Sequence, residues 1–156
     1  MIKPSALKNI YQGKVVIVGV GNILRGDDGF GPALIERING KVKAVCLDSG
    51  SALENFAGKI LKENPDTVLI VDALHLERDA GEYALLSKDE LLKCGLGTHD
   101  ISFHMFFEYL QKQKPNIALY VLGVQPQTLE LGAAMSGQVK KTLGEIAALI
   151  IEVDHA

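Results

Sequence analysis

"GVGNILRGDDGFGP", residues 19–32, decides how the chain is read. It follows the apolar run "KVVIVGV" (14–20), so it occupies a strand-to-helix turn. Gly19 and Gly21 stand two apart, as in a dinucleotide-binding fingerprint, but Leu24 sits where the third glycine belongs. Asp27 and Asp28 then put two negative charges where a pyrophosphate needs free helix N–H groups. The pattern argues against NAD or FAD and raises a question: what does an anionic turn at a strand end receive?

Outward from this turn, apolar runs alternate with helical patterns. "VKAVCLD" (42–48), "TVLIVDAL" (67–74) and "NIALYVLGVQP" (116–126) read as further strands, the last ending at Gly123. "GEYALLS" (81–87) reads as a strand near an edge. Helices are expected over 29–39, with Pro32 in the first turn, over 52–64, over 88–95 with Ser87 as N-cap, and over 136–152. A further helix is expected over 100–114, capped by Asp100 or Ser102, with Ile101, Met105, Phe106 and Leu110 inward. Buried strands alternating with helices predict an α/β fold, a three-layer α/β/α sandwich on a mostly parallel twisted sheet of about five strands. The length of 156 residues predicts a single domain spanning residues 1–156.

Composition narrows the function. Sixteen Lys and Arg against 19 Asp and Glu give a net charge of −3, which speaks against a nucleic-acid binder. No apolar run approaches the ~18–20 residues of a membrane span, and "MIKPSALKNIYQGK" has no signal-peptide core, so a cytoplasmic protein that does not enter a membrane is expected. Cys46 and Cys94 lack metal-ligand or redox spacing; Cys46 reads as a small buried hydrophobe. Neither HExxH nor GxSxG occurs.

In parallel sheets, functional groups gather at the carboxyl ends of the strands. Here those ends carry Asn22, Arg25, Asp27 and Asp28, then "DSGS" (48–51), then Asp72, then "GVQPQ" (123–127). The loop "GLGTHD" brings His99 ahead of a helix. Two carboxylates and an imidazole, Asp28, Asp72 and His99, would suit a divalent transition metal and leave open coordination positions. Each also has an ordinary reading: an N-cap for Asp28, a carboxylate held by backbone amides for Asp72, a solvated loop histidine for His99. Asp27 reads first as a cap or turn residue. His75 is expected exposed, His104 half-buried on its helix, and His155 in a frayed tail.

Taken together, "VIVGVGNILRGDDGFGP", "LDSGSALEN", "TVLIVDAL", "GTHDISF" and "LYVLGVQP" resemble, in order and spacing, the nickel–iron hydrogenase maturation endopeptidases. The likeness runs from about Lys14 to about Leu149. It implies an endopeptidase that removes the C-terminal extension of the nickel-loaded [NiFe] hydrogenase large-subunit precursor. It also implies that Asp28, Asp72 and His99 form the catalytic and metal-gripping set, with nickel supplied by the substrate and no resident cofactor. Asn22 is then expected to shape the loop or orient Asp28. Asp48, Ser49 and Gly50 are expected to line the peptide cleft, and Gln125 to hydrogen-bond substrate, its alternative being a surface loop amide. The family does not call for a histidine at 104. Two rivals stand beside this reading: a hydrolase holding its own ion through Asp27 and Asp28, and a non-catalytic chaperone that checks nickel.

Overall fold

In the computed structural model, residues 4–93 and 97–156 are described, with the side chains of Leu92 and residues 97–102 outside the description. Cys94 therefore falls outside it. Among the described residues, five strands form one sheet: β1 (Val15–Val20), β2 (Val45–Gly50), β3 (Thr67–Ala73), β4 (Tyr83–Ser87) and β5 (Ala118–Val124). Their order is β2-β1-β3-β5-β4. All neighbours are parallel except β4, which runs antiparallel to β5 at the edge. The expected α/β architecture is therefore present.

Side chains alternate between two cores, as the period of a strand requires. Val15 and Ile17 of β1 and Leu69 and Val71 of β3 face one core with α1 (Pro4–Ile10), α2 (Phe30–Ile38) and α6 (Gly137–His155). Val16, Val18, Val68 and Ile70 face the other, against α3 (Ala57–Lys62), α4 (Lys88–Lys93) and α5 (Gly97–Gln113). Two helical layers thus sandwich the sheet. No helix among the described residues is long and apolar enough to cross a membrane.

Several expectations need correction, each for a physical reason. β2 starts at Val45 rather than at 42, because the Lys43 and Ala44 N–H groups donate to the Asp154 carboxylate at 2.7 and 3.1 Å. β5 ends at Val124, one residue past Gly123. The segment 52–64 splits into a 3-10 turn, Leu53–Phe56, and α3. α5 begins at Gly97, so Asp100 and Ser102 lie inside it rather than capping it. Met105 is 66% exposed; Phe103, Phe106, Phe107 and Leu110 make the buried stripe. α6 continues to His155, whose Nε2 meets the Lys41 carbonyl at 2.8 Å, so this histidine is not in a frayed tail. The seven-residue α1 was not expected. Its Leu7 is buried, and Tyr11 just beyond it donates its hydroxyl to Asp154.

The Ser87 cap is present as a capping box. The Glu90 N–H donates to Ser87 Oγ at 3.2 Å, and the Ser87 N–H to Glu90 Oε1 at 3.3 Å. Cys46 is half-buried and free, against the first core, and burial pushes its thiol up to about 11.

Candidate active site

The missing third glycine has a replacement. A Cβ on Gly19 would collide with the Gly31 carbonyl, and one on Gly31 would collide with the Val20 backbone and lie 2.6 Å from the Val71 carbonyl oxygen. Gly31, in the first turn of α2, therefore supplies the close helix–strand approach that a dinucleotide fingerprint assigns to its third glycine. This lets α2 lie low over β1 and β3 and brings the β1–α2 turn against the end of β3.

The turn's own amides are taken. Asn22 N–H donates to Asp28 Oδ2 at 2.9 Å, and Leu24 N–H to Asn22 Oδ1 at 2.9 Å. Arg25 N–H donates to the Asn22 carbonyl, Asp28 N–H to the Arg25 carbonyl, and Asp27 N–H to the Thr128 carbonyl. These N–H groups leave no cradle for a phosphate. Gly21, with φ +140, sits so close to the Asp28 carbonyl that a Cβ there would clash, which fixes the turn's fold-back.

Asp27 and Asp28 have opposite fates. Asp27 is 0% exposed. It accepts from Gln127 N–H at 2.8 Å, Thr128 N–H at 3.1 Å, Ser136 N–H at 2.7 Å and Ser136 Oγ at 2.9 Å. It is a clamp between the first turn and the β5–α6 loop. It caps no helix, and four hydrogen bonds from the β5–α6 loop hold it outside the cavity that Asp28 faces. Asp28 is half-buried, with Oδ2 tied to Asn22, and it faces a small cavity. Asn22 thus shapes the loop and holds Asp28 at once.

That cavity, of about 80 Å³, is lined by Val20, Gly21, Asp28, Ser51, Leu53, Glu54, Asp72 and Phe103. One water-sized sphere needs roughly 10–15 Å³, so a cation with several donor atoms fits. Asp72 lies at the end of β3 and is 1% exposed. Its Oδ2 has no hydrogen-bond partner among the described residues. Burial, then the charge of Asp28, hold its carboxyl well above the usual range, against the opposing effect of the Ala73 N–H. A buried, under-bonded carboxylate beside a second one is costly in an empty site and is stabilised by a cation.

Position 99 stands in the first turn of α5, four residues before the cavity-lining Phe103, and helix positions four apart share a face. The His99 side chain lies outside the described residues. Among the described residues, no group of three His, Cys, Asp or Glu is arranged to hold a metal ion.

The other residues singled out in the sequence lie outside this cavity. Asp48 is exposed, its Oδ1 accepting the Gly50 N–H at 2.9 Å. Ser49 is buried and donates to the Gly19 carbonyl at 3.1 Å, tying β2 to β1. Gly50, with φ +55, accepts from the Gly21 N–H, and a Cβ on it would meet open space. None of the three lines the acidic cavity. Gln125 is buried, not a surface amide. Its Oε1 accepts from Leu76 and Arg78 N–H at 2.6 and 3.4 Å, and its Nε2 approaches His75 Nδ1 and the Pro126 carbonyl. It organises the β3–β4 loop. His75 is exposed, as expected; His104 is half-buried and pairs with Glu108 at 3.1 Å. Arg25 is exposed. Glu54 and Ser51 were missed as cavity residues; the signal lay in "DSGSALEN", where both follow the β2 strand end.

Known proteins share this fold. The family model described as hydrogenase maturation protease (HycI) matches residues 32–153, beginning just past Asp28 and including Asp72 and position 99. The chain is 30% identical to the hydrogenase 3 maturation protease of Escherichia coli strain K12, over 80% of this chain and 81% of that one. The crystal structure of the [NiFe] hydrogenase maturation protease HycI from Thermococcus kodakarensis KOD1 superposes with a TM-score of 0.88 at 30% identity, covering 97% of this chain and 99% of that one. The solution structure of the endopeptidase HycI from Escherichia coli gives 0.72 at 29% identity, covering 87% and 88%. With its fold, its anionic strand-end cavity and a family match over most of its length, the chain belongs to the hydrogenase maturation proteases and is a peptidase.

Proposed function

We propose that this peptidase removes the C-terminal extension of a nickel-loaded [NiFe] hydrogenase large-subunit precursor, and that it reads the nickel through Asp28, Asp72 and His99. The observation that carries the reading is the Asp72 Oδ2 atom, buried and unpartnered among the described residues, in a cavity shared with Asp28. The nickel belongs to the substrate. Its charge offsets the cost of two neighbouring carboxylates, one of them buried, and displaces any proton on Asp72, since a ligand must be deprotonated.

Once gripped, the nickel positions the scissile peptide at the strand ends and acts as a Lewis acid on its carbonyl or on a water. Asp72, whose carboxyl is held well above its usual range by burial, or its neighbour Asp28, is alternatively the general base. Asn22 keeps Asp28 turned to the cavity through its N–H. Nothing in this scheme uses Asp27 for chemistry.

The test is processing of the precursor with and without nickel. Cleavage of the loaded form alone supports the reading. Cleavage of both forms at equal rates removes nickel from recognition. An uncut loaded precursor bound to the protein points to the chaperone rival.

A further inference from the structure

A second concavity adjoins the acidic one. It has a volume of about 500 Å³ and lies between the Leu53–Phe56 turn with α3 on one side and α5 on the other. Leu53 and Glu54 line both spaces. The rest of its lining is apolar or small: Ala57, Gly58, Met105, Phe106 and Tyr109. Met105 and Tyr109, four apart on α5, are 66% and 50% exposed. Two large apolar side chains left in solvent beside a catalytic cavity mark a surface that something covers.

We propose that this groove is the subsite for an apolar side chain of the substrate polypeptide, within about three residues of the scissile bond. The inference rests on the proposed site at Asp28 and Asp72. A peptidase must pass its substrate chain through the reacting centre, and this groove shares the walls Leu53 and Glu54 with that centre. An extended chain advances about 3.3 Å per residue, so a segment with its scissile bond at the carboxylates reaches the groove within a few residues. Shape and chemistry select the occupant. The walls are Leu53, Met105 and an aromatic pair, so an aliphatic or thioether side chain is accepted; Met105 adapts its shape to it. Glu54 at the junction, with Asp28 and Asp72 beyond, repels an acidic residue there.

Gly58 makes the inference testable. A Cβ on Gly58 meets nothing within 4 Å, so a side chain can be added into the groove without disturbing the fold. Gly58→Leu is expected to raise KM for the nickel-loaded precursor at least ten-fold, with kcat little changed and Tm unaltered or higher. Tyr109→Ala removes a wall at an exposed position and is expected to raise KM several-fold. Replacing the apolar residues around the cleavage bond by alanine, one at a time, is expected to reveal one whose loss raises KM in the native enzyme and adds nothing in Gly58→Leu. Native KM in a folded Gly58→Leu variant overturns the inference while leaving the nickel reading intact. So does a rise in KM on Leu131→Asp, at the exposed β5–α6 loop, that Gly58→Leu fails to produce. Failure of the unaltered enzyme to cut the loaded precursor overturns the underlying reading and the subsite with it.

Discussion

Asp28 and Asp72 face one cavity of about 80 Å³, and the charge of the first helps hold the carboxyl of the second above its usual range. The Asn22 N–H on Asp28 and the Ala73 N–H at Asp72 oppose that effect without cancelling it. In the proposed reaction, the substrate's nickel offsets the cost of this pairing.

Asp72→Asn removes the buried charge and keeps the shape. Because the folded pKa is raised above 3.8, the folded state binds more protons between the two values, and stability falls as pH rises through that window. Asn cannot titrate. The variant is expected to melt a few degrees above the native protein at neutral pH, a gain of about 1–2 kcal/mol, and to lose processing altogether. The advantage in Tm should vanish at low pH, where the native carboxyl is protonated. Thermal denaturation across pH, paired with a processing assay, checks both halves.

Asp27→Ala should behave in the opposite sense. It leaves three N–H groups and one hydroxyl of the β5–α6 loop without their acceptor. The expected loss is about 3–5 kcal/mol, read by denaturant unfolding. Under strongly stabilising conditions, folded Asp27→Ala should still engage nickel-loaded precursor, because Asp28 and Asp72 remain.

Gly31→Ala tests the packing that brings the turn to the sheet. The new methyl meets the Val20 backbone and the Val71 carbonyl, so the helix must move away from the strands. A loss of about 3 kcal/mol or more is expected, with processing reduced in whatever protein folds. Tm and activity measured on the same preparation check it.

Asp154 sets a different pH dependence. Burial works against its charge, but the Lys43 and Ala44 N–H groups and the Tyr11 hydroxyl outweigh it, and its carboxyl is held below 3.8. That contribution is present above the unfolded value and is lost as pH falls through the folded one. Asp154→Ala is expected to cost roughly 1.5–3 kcal/mol at neutral pH and to narrow its deficit in acid. Urea unfolding at two pH values measures the difference.

Much of this was legible in the chain itself, for reasons that particular residues show. "VVIVGV" and "TVLIVDA" are apolar on both faces, which only a central parallel strand tolerates, and their carboxyl ends located Asp28 and Asp72. Local sequence could not separate Asp27 from Asp28. Their difference comes from Gln127, Thr128 and Ser136, a hundred residues away. Nor could it orient α5, since Met105 and Phe106 both fit a 3.6-residue period and the packing of Phe103 and Phe107 chose between stripes. Gln125 reads in the sequence as a substrate-bonding group or a surface loop amide, because its partners, the Leu76 and Arg78 N–H groups, belong to another connection.

The central claim is that carboxylates of this chain take hold of nickel carried by its substrate. Nickel-edge X-ray absorption tests it on the loaded precursor, alone and after mixing with the protease in the cold before cleavage. The account predicts that the nickel gains oxygen donors on mixing, and that Asp28→Asn and Asp72→Asn each diminish the gain. A coordination sphere unchanged by the unaltered protease, in a complex that forms, would contradict it.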